Sequence, residues 1–334
     1  MNDIQQKISQ MDAQKIAEEM DEKGYIILSR FLPVKYCKEL IDKYCNEDLY
    51  RKIITMEKYR FGLGEYKYFK YPLPILIHSI RNGVYPILAP IANNWMRLLD
   101  LKRQFPNEFE KLQQLCYENN QVECTVLILK YGKGGFNTLH QDLYGNIFFP
   151  MQLVIFLNEP DEDYLGGEFV LTQQNPRAQS KAIVLRPRIG DMLILTTNFR
   201  PMKGNKGYYR VQMRHGISEV HEGERHTLGI IFHDAVHQYF EFGLSTKVIN
   251  RFIAHQKKVN TTVKQSKVTA DFCGSLGMFD VSLIIAFKLR SNILNFHTMC
   301  LYDMICSIFP KFFFCHSFSN IFAFNYFCSC ITTR

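Results

Sequence analysis

The stretch LHQDLYGNIFFPMQLVIFL, residues 139–157, places a polar pair shortly before a run of apolar residues. The run MQLVIFL is short and rich in branched and aromatic side chains, a pattern that favours a buried strand. His140 and Asp142 stand two positions apart in front of it. Alone, an H-x-D tripeptide is more often an accidental polar pair at a strand end than two ligands of a metal ion. Whether His140 and Asp142 bind a metal ion therefore depends on the fold and on a third ligand from elsewhere in the chain.

Runs of the same kind recur between residues 123 and 232. They are mostly separated by turn-forming Gly, Pro, Asp or Asn, and no convincing helical pattern lies between them. The six clearest runs are CTVLILKY, MQLVIFL, EFVLT, AIVL, DMLILTT and HTLGIIF. Many short strands without intervening helices indicate an antiparallel sandwich or barrel. We therefore predict a mainly β fold with helical support (α+β), in which residues 121–236 form a jelly-roll core.

The first third of the chain has helical patterns instead. Residues 12–22 (DAQKIAEEMDE) predict an amphipathic helix, residues 24–32 (GYIILSRFL) turn β-like, and Pro33 introduces a second helix. Further helical pattern runs through residues 83–118. We expect residues 1–120 to support the core, within one domain that spans residues 1–236.

Charge and cysteine content set limits on partners and location. The formal net charge of +8 invites a nucleic-acid partner, but residues 236–334 hold 10 Lys or Arg against 4 Asp or Glu, which leaves 30 against 28 in the body. The body is therefore nearly neutral. The chain has 10 cysteines and no C-x-x-C pair. We expect reduced thiols in a cytosolic protein, or a nuclear one if the cell is eukaryotic.

Residues 237–334 differ from the body in composition and in sequence pattern. A polar, basic linker (QKKVNTTVKQSKVTA, 256–270) precedes a segment rich in Phe and Cys without a steady period. Residues 312–333 lack Asp, Glu, Lys and Arg and are long enough to span a bilayer, but their Ser, Asn, His and Thr content makes a poor membrane span. We expect a poorly ordered tail of unknown role, and no membrane association.

His215 is the natural third ligand for the polar pair. It lies 73 residues after Asp142, beyond several strand-like runs, and Gly216 follows it, so that other groups can approach closely. Two imidazoles and one carboxylate on one face of an ion leave about three octahedral positions open, the arrangement that suits non-haem Fe(II). A structural zinc site would need a fourth protein ligand, for which the sequence offers no thiolate at suitable spacing.

Arg225 is a candidate anchor for an acidic co-substrate. It stands ten residues after His215, at the start of the strand-like run RHTLGIIF. If this strand faces the barrel interior, its guanidinium could bind a carboxylate through two hydrogen bonds, with the Thr227 hydroxyl on the same strand face. The alternative is a surface salt bridge to Glu222 or Glu224. An iron with open positions beside a buried arginine points to a dicarboxylic keto acid.

The same residues carry a resemblance to a known family. The segments are HQDLYGNIFFPMQLVIFLNEP, GGEFVLT, PRIGDMLILTTNFRP, GYYRVQMRHGISEV and RHTLGIIFHDA, with GEYKYFKYPLP and LAPIANNW before them. Over roughly residues 20–235 the chain resembles the mostly prokaryotic 2-oxoglutarate/Fe(II) oxygenases predicted to act oxidatively on damaged nucleic acid. The resemblance does not extend into the tail.

This resemblance implies a double-stranded β-helix, that is a jelly roll, with Fe(II) held by His140, Asp142 and His215. The far carboxylate of 2-oxoglutarate would meet Arg225 and Thr227, and O2 would be the oxidant. In the related AlkB-type demethylases a tyrosine before the H-x-D touches the co-substrate; Tyr131 stands at a comparable position here, although a core aromatic at a strand end is an equal interpretation. The AlkB pattern also has a second arginine six residues after the first, where this chain has Ile231.

The implied reaction couples oxidation of 2-oxoglutarate to succinate and CO2 with hydroxylation of a substrate C–H bond, and hydroxylation of an N-methyl group releases formaldehyde. Basic residues interleaved with Phe199, Tyr208 and Tyr209 suggest phosphate contacts and base stacking, or else a solvated loop. These basic residues are Arg200, Lys203, Lys206, Arg210 and Arg214. Two other functions stay open: hydroxylation of a protein side chain, as in prolyl hydroxylases, and a non-catalytic jelly-roll binding module.

Overall fold

The computed structural model describes residues 2–236, so the predicted linker and tail at 237–334 lie outside the described residues. Within this range five α-helices all precede residue 119. They are α1 Asn2–Ser9, α2 Ala13–Lys23, α3 Val34–Asp42, α4 Ile75–Leu98 and α5 Phe109–Glu118. None of the helices in residues 2–236 combines the length and the apolar character that crossing a bilayer requires.

Seventeen strands lie in the described range, and most follow the helices. In chain order they are β1 Tyr25–Leu28, β2 Tyr50–Thr55, β3 Gly62–Leu63, β4 Glu65–Phe69, β5 Gln121–Glu123, β6 Leu127–Tyr131, β7 Phe136–His140, β8 Met151–Phe156, β9 Tyr164–Gly166, β10 Phe169–Gln174, β11 Ser180–Leu185, β12 Met192–Thr196, β13 Phe199–Gly204, β14 Gly207–Ile217, β15 Val220–Gly223, β16 Arg225–Ile231 and β17 Ala235–Val236.

Two antiparallel sheets form the predicted jelly roll. The larger has the order β1-β12-β8-β16-β6-β4-β2, and the smaller has the order β11-β10-β14-β7-β3, with β13 paired to β14. The chain passes from β6 in the larger sheet to β7 in the smaller and back to β8, and the passage recurs from β12 through β14 to β16. This alternation between two sheets is the double-stranded β-helix, so the fold prediction is confirmed.

The central strands β8 and β12 of the larger sheet are buried on both faces, which explains their nearly continuous apolar sequence. Along β8, Met151, Leu153 and Ile155 belong to the core that the helices cover, whereas Val154 and Phe156 belong to the core between the sheets. Because side chains alternate across a strand, Gln152 also points between the sheets. Each fully buried large apolar side chain contributes roughly 1.5–3 kcal/mol to folding.

The predicted first helix is α2, and Asp12 caps it by accepting a hydrogen bond from the Lys15 backbone N–H at 3.0 Å. The predicted helix within 83–118 differs more. α4 starts at Ile75, well before Gly83, and continues through Pro86 and Pro90. Buried packing on the larger sheet outweighs the backbone hydrogen bonds that the two prolines cannot donate.

The first third of the chain also contributes strands: β1 is the strand predicted within residues 24–32, whereas β2, β3 and β4 were not predicted. β1 pairs with β12 at one edge of the larger sheet, and β4 and β2 extend it beyond β6 at the other. α4 is fastened to the same sheet by Arg81, which is fully buried and lies 2.9 Å from Asp234 in an ion pair. The Arg81 guanidinium also donates to the carbonyl oxygens of Ile231 and Phe232, so the helix holds the end of β16 in place.

Candidate metal and co-substrate site

Strands β7 and β14 bring the two predicted histidines side by side. β7 ends at His140, which is the direct antiparallel partner of His215 on β14. Gly216 permits this approach, since a Cβ there would lie 2.6 Å from the carbonyl oxygen of Asn137. Asp142 follows β7 by two residues, and its carboxylate oxygens lie 3.7 Å from His140 Nε2 and 3.3 Å from His215 Nε2. The three side chains predicted from the sequence therefore converge.

Their geometry fits one divalent ion. One ligand atom from each of His140, Asp142 and His215 lies within 4.8 Å of the others. Ligands bound at right angles, each ~2.1 Å from an ion, are about 3 Å apart, so small side-chain adjustments suffice. Two imidazoles and a carboxylate on one side of an octahedral ion leave the opposite positions open. This donor set is the one that suits non-haem Fe(II).

A backbone carbonyl orients the first histidine. The Nδ1 atom of His140 lies 2.7 Å from the carbonyl oxygen of Thr138, so that Nδ1–H donates and Nε2 is left as the ligand atom. Burial lowers the pKa of His140, and the neighbouring His215 lowers it further. Both effects favour the neutral imidazole, which is the form that binds a metal.

Two side chains that the sequence did not indicate hold the carboxylate of Asp142. The Tyr144 hydroxyl donates to Oδ1 at 2.8 Å, and Gln152 Nε2 donates to Oδ2 at 2.8 Å. Burial alone would raise the pKa of the Asp142 carboxyl, but the His140 and His215 imidazoles and the Gln152 hydrogen bond hold it well below its usual range. The ligand is therefore an oriented anion.

The positions of Gln152 and Tyr144 in the sequence give some indication of their role. Gln152 is the single polar residue in the apolar run MQLVIFL, and Tyr144 follows Asp142 by two positions. A polar residue inside a strand that is buried on both faces needs a partner, and this could have identified Gln152 as a site residue. The Gln152 Oε1 atom is itself buried without a hydrogen-bond partner among residues 2–236.

The second histidine is held by packing. The ring of His215 stacks on Phe169 with the centroids 5.7 Å apart and the planes 8° apart. Phe169 in turn meets Phe156 edge to face at 5.9 Å, and the Arg225 guanidinium lies 5.4 Å from the Phe156 ring. A continuous aromatic wall therefore connects the metal ligand to Arg225.

Arg225 lies in the interior between the sheets. It is 1% exposed, and none of its three guanidinium nitrogens has a hydrogen-bond partner among residues 2–236. Burial lowers the pKa of the guanidinium, an effect that the nearby Tyr164 and Tyr131 hydroxyls partly oppose. The surface salt bridge considered from the sequence is wrong, because Glu224 pairs with Lys130 at 2.7 Å instead. A buried cation that no carboxylate neutralises is costly, and the cost is relieved if an anionic ligand enters.

Tyr131 and Thr227 lie beside Arg225. Arg225 and Tyr131 are direct partners across β16 and β6, and the guanidinium carbon is 5.8 Å from the Tyr131 ring centroid. Burial raises the pKa of the Tyr131 hydroxyl, while the Arg225 charge and a hydrogen bond that Asn137 Nδ2 donates at 3.2 Å oppose the rise. Thr227 is buried two residues along the same face of β16. The structure thus groups both with Arg225.

The basic residues predicted to face nucleic acid do not all lie at the surface. Lys203, Lys206, Arg210 and Arg214 are exposed. Arg200 is not: it is 4% exposed, and its guanidinium donates to Gln173 Oε1 at 3.0 Å and to the backbone carbonyl of Asp21 at 3.1 Å. The prediction that Arg200 contacts a partner is therefore wrong. Its side chain lies on the buried face of β13, opposite Val211 on β14.

Three other histidines stand apart from the triad. His226 Nδ1 lies 3.1 Å from Asn158 Oδ1, the buried His233 accepts a hydrogen bond from the Phe149 backbone N–H at 3.1 Å, and His221 is exposed. Burial lowers the pKa of His226 to about 4 and that of His233 to about 3. Both are neutral structural residues at neutral pH.

This chain is similar to other proteins in sequence and, more distantly, in structure. Two uncharacterized proteins of Mycobacterium tuberculosis, from strains CDC 1551 / Oshkosh and ATCC 25618 / H37Rv, are each 41% identical over 167 residues, which is 50% of this chain and 72% of the relative. Among solved structures, a prolyl-4-hydroxylase of Pseudomonas putida is 13% identical with a TM-score of 0.43, covering 67% of this chain and 99% of that one. An oxidoreductase of the 2OG-Fe(II) oxygenase family from Burkholderia pseudomallei is 15% identical with a TM-score of 0.42, covering 69% and 95%.

A family model matches more directly. It describes an oxygenase catalysing oxidative methylation of damaged DNA, and it matches residues 64–235, more than half of the chain. The matched range contains the H-x-D pair, His215 and Arg225. This chain therefore belongs to the oxygenase family that the model describes as acting oxidatively on damaged DNA.

Proposed function

We propose that this dioxygenase removes N-methyl groups from damaged nucleic-acid bases by oxidative demethylation, using His140, Asp142 and His215 to hold Fe(II). When bound, Fe(II) supplies the activation of O2 that couples oxidation of 2-oxoglutarate to succinate and CO2 with hydroxylation of a substrate C–H bond. Hydroxylation of an N-methyl carbon gives a hemiaminal that releases formaldehyde and the unmethylated base.

The buried, unpartnered guanidinium of Arg225 carries the assignment of the co-substrate. A cation at the start of β16 would stabilise the far carboxylate of a bound dianion. Thr227 offers a hydroxyl on the same strand face. Tyr131, the cross-strand partner of Arg225, would line the space that the diacid occupies.

The surrounding residues orient the metal ligands and exclude water from the interior. Thr138 fixes the imidazole of His140, while Gln152 and Tyr144 hold Asp142 as an anion, so the site is organised before the ion binds. The aromatic wall of Phe169 and Phe156 closes the interior around Arg225. A water-poor interior strengthens the attraction between a guanidinium and a carboxylate.

Charge on the outer surface of the smaller sheet supports a nucleic-acid substrate. β14 carries His215 on its inner face and Arg210 and Arg214 on its exposed face, and Lys203 on β13 lies beside Tyr208. Exposed cations on the strand that carries a metal ligand suit a polyanion close to the reaction site. The family description, which names damaged DNA, agrees with this substrate class.

The test is a turnover assay with an N-methylated single-stranded oligonucleotide. The full chain is incubated with Fe(II), 2-oxoglutarate and O2, and succinate, formaldehyde and the oligonucleotide mass are measured together. We expect equal amounts of succinate and formaldehyde and loss of the methyl group. His215→Ala and Asp142→Ala should abolish all three signals, whereas His221→Ala, at an exposed histidine, should leave them unchanged.

A peptide arm distinguishes the competing substrate class. A proline-containing peptide replaces the oligonucleotide, and the gain of one oxygen atom is measured. Peptide hydroxylation without formaldehyde release from any methylated oligonucleotide would overturn the demethylase assignment and favour a prolyl-type hydroxylase. Continued turnover by the Asp142→Ala variant would instead overturn the assignment of the triad.

A further inference from the structure

A basic and aromatic turn lies directly beside the strand that carries the first metal ligand. This turn, which we call the aromatic turn, comprises Lys58, Tyr59, Arg60 and Phe61. The rings of Tyr59 and Phe61 stack with centroids 5.6 Å apart and an interplanar angle of 17°. They are nevertheless 51% and 45% exposed, so one face of the pair is open to solvent.

The aromatic turn is built rigidly onto β7. The carbonyl oxygen of Phe61 accepts hydrogen bonds from both the backbone N–H and the hydroxyl of Thr138, each at 2.9 Å. Gly62 follows with φ of +144°, and a Cβ there would lie 2.1 Å from the Phe136 carbonyl oxygen, so the approach requires glycine. Arg60 adopts the left-handed conformation that ends the preceding 3-10 turn.

The same threonine connects the aromatic turn to the metal site. The carbonyl oxygen of Thr138 accepts the Nδ1–H bond of His140 at 2.7 Å. Two successive hydrogen bonds therefore lead from the backbone of Phe61 to a metal ligand. Whatever rests on Tyr59 and Phe61 is therefore supported by the strand that ends at His140.

Charge around the rings favours an anionic partner. Lys58 and Arg60 are exposed and make no ion pair with any other residue in the range 2–236, and Lys133 is exposed in the turn between β6 and β7 that packs on Leu63. Glu57 is the acidic neighbour, so three cations stand against one anion. An apolar peptide would use the rings but leave these cations without partners.

We propose that the aromatic turn is the stacking platform for an unpaired base of a single-stranded nucleic acid, with Lys58 and Arg60 contacting the flanking phosphates. Open ring faces that alternate with cations are the features by which proteins hold single strands, because every base has a π-face and every linkage carries a charge. This inference rests on the proposed function and assigns its substrate contact to residues outside the jelly-roll core.

The test uses binding of a single-stranded oligonucleotide to the full chain. The probe carries a fluorescent end label and, in a second version, 2-aminopurine in its sequence. Phe61→Leu keeps an apolar side chain of similar size but removes the ring, and Tyr59→Leu does the same. We expect each to weaken binding about tenfold and to abolish the quenching of 2-aminopurine that stacking produces.

Two comparisons make the binding result specific. Tyr117→Leu replaces an aromatic residue that is 66% exposed at the end of α5, and it should bind like the unchanged chain. Lys58→Gln should reduce the slope of log affinity against log salt by about 0.7, the value for one phosphate contact on a single strand. Unfolding midpoints of all variants check that each protein is folded.

The outcomes separate this proposal from the proposed function. If the unchanged chain binds and demethylates the oligonucleotide while Phe61→Leu and Tyr59→Leu bind equally well and quench equally, the platform is wrong and the demethylase assignment stands. If the unchanged chain binds no oligonucleotide and hydroxylates only peptides, the proposed function fails and the platform fails with it. Loss of binding and of quenching in the two Leu variants, with Tyr117→Leu unaffected, supports the platform.

Discussion

Replacing Arg225 by methionine should change the stability of this protein in opposite ways with and without co-substrate. The guanidinium is 1% exposed and has no hydrogen-bond partner among residues 2–236, so within this range its burial is compensated only in part, by the neighbouring aromatic rings. Methionine has similar length, no charge and the flexibility to fill the space among Tyr131, Phe156 and Tyr164. The ligand-free protein should therefore become more stable.

The expected size follows from measured replacements of buried charges. Apolar substitution of buried ionic groups gains roughly 1–4 kcal/mol. For a domain of this length each kcal/mol raises the unfolding midpoint by roughly 2–4 °C. We expect Arg225→Met to raise the midpoint of the ligand-free protein by about 2–16 °C.

In the presence of 2-oxoglutarate, Arg225→Met should instead reduce the stability that the ligand adds. Losing charge-assisted hydrogen bonds to a carboxylate costs ~1.5–3 kcal/mol, which weakens binding about 10- to 150-fold. At a 2-oxoglutarate concentration of 100 times its Kd, the unchanged chain gains about 2.7 kcal/mol of stability, and Arg225→Met should lose most of this gain. Differential scanning fluorimetry with Mn(II) in place of Fe(II), with and without 2-oxoglutarate, measures both effects without turnover.

Arg188→Met is the matched control. The side chain of Arg188 is 71% exposed and pairs with Glu159, so its loss should change the midpoint little and leave the effect of 2-oxoglutarate intact. The reasoning would be refuted if Arg225→Met lowered the midpoint of the ligand-free protein and still showed the full stabilisation by 2-oxoglutarate. In that case Arg225 would be a structural residue with a partner of its own.

Three further predictions test the surroundings of the site. Gln152→Leu removes the donor to Asp142, and a Co(II) titration should show metal affinity about 10- to 100-fold lower. Burial lowers the pKa of His226 to about 4, from about 6.5 in the unfolded chain. Its contribution to stability is therefore complete above pH 6.5, and about 3 kcal/mol of the free energy of unfolding is lost as the pH falls to 4. In denaturant unfolding, the free energy of unfolding of His226→Gln should fall less steeply between these two pH values. Arg200→Ala should lower the free energy of unfolding by about 1–3 kcal/mol without changing oligonucleotide affinity, whereas Arg210→Ala should weaken oligonucleotide binding and its salt dependence with little effect on unfolding.

The local sequence pattern was sufficient to predict the jelly roll and to select His140, Asp142 and His215 as one group of ligands. The apolar runs identified the strands because a strand buried on both faces has a continuous apolar sequence. His140 and Asp142 are close in the chain, and His215 could be chosen because it lies beyond several strand-like runs and is followed by a glycine. These inferences needed residue type and order only.

The residues that support the ligands could not be located in the same way. Gln152 reaches Asp142 because β8 faces β7 across the interior, and that register is set by long-range pairing and not by neighbouring residues. The start of α4 at Ile75 was missed for a related reason. Ile77 and Ile80, in its first turns, are fully buried in the core, and local propensity contains no information about that packing.

The pairing of β13 with β14 decides how the basic segment can be used. Arg200 pairs with the fully buried Val211 and shares its face, whereas Lys203 pairs with Tyr208 and shares the exposed face that continues to Arg210. A count of positive charges in the sequence treats all of these residues alike, although alternation along the strand sends one of them inward. The charge that can meet a polyanion is therefore fixed by strand register, and it lies on the outer face of the strand whose inner face carries His215.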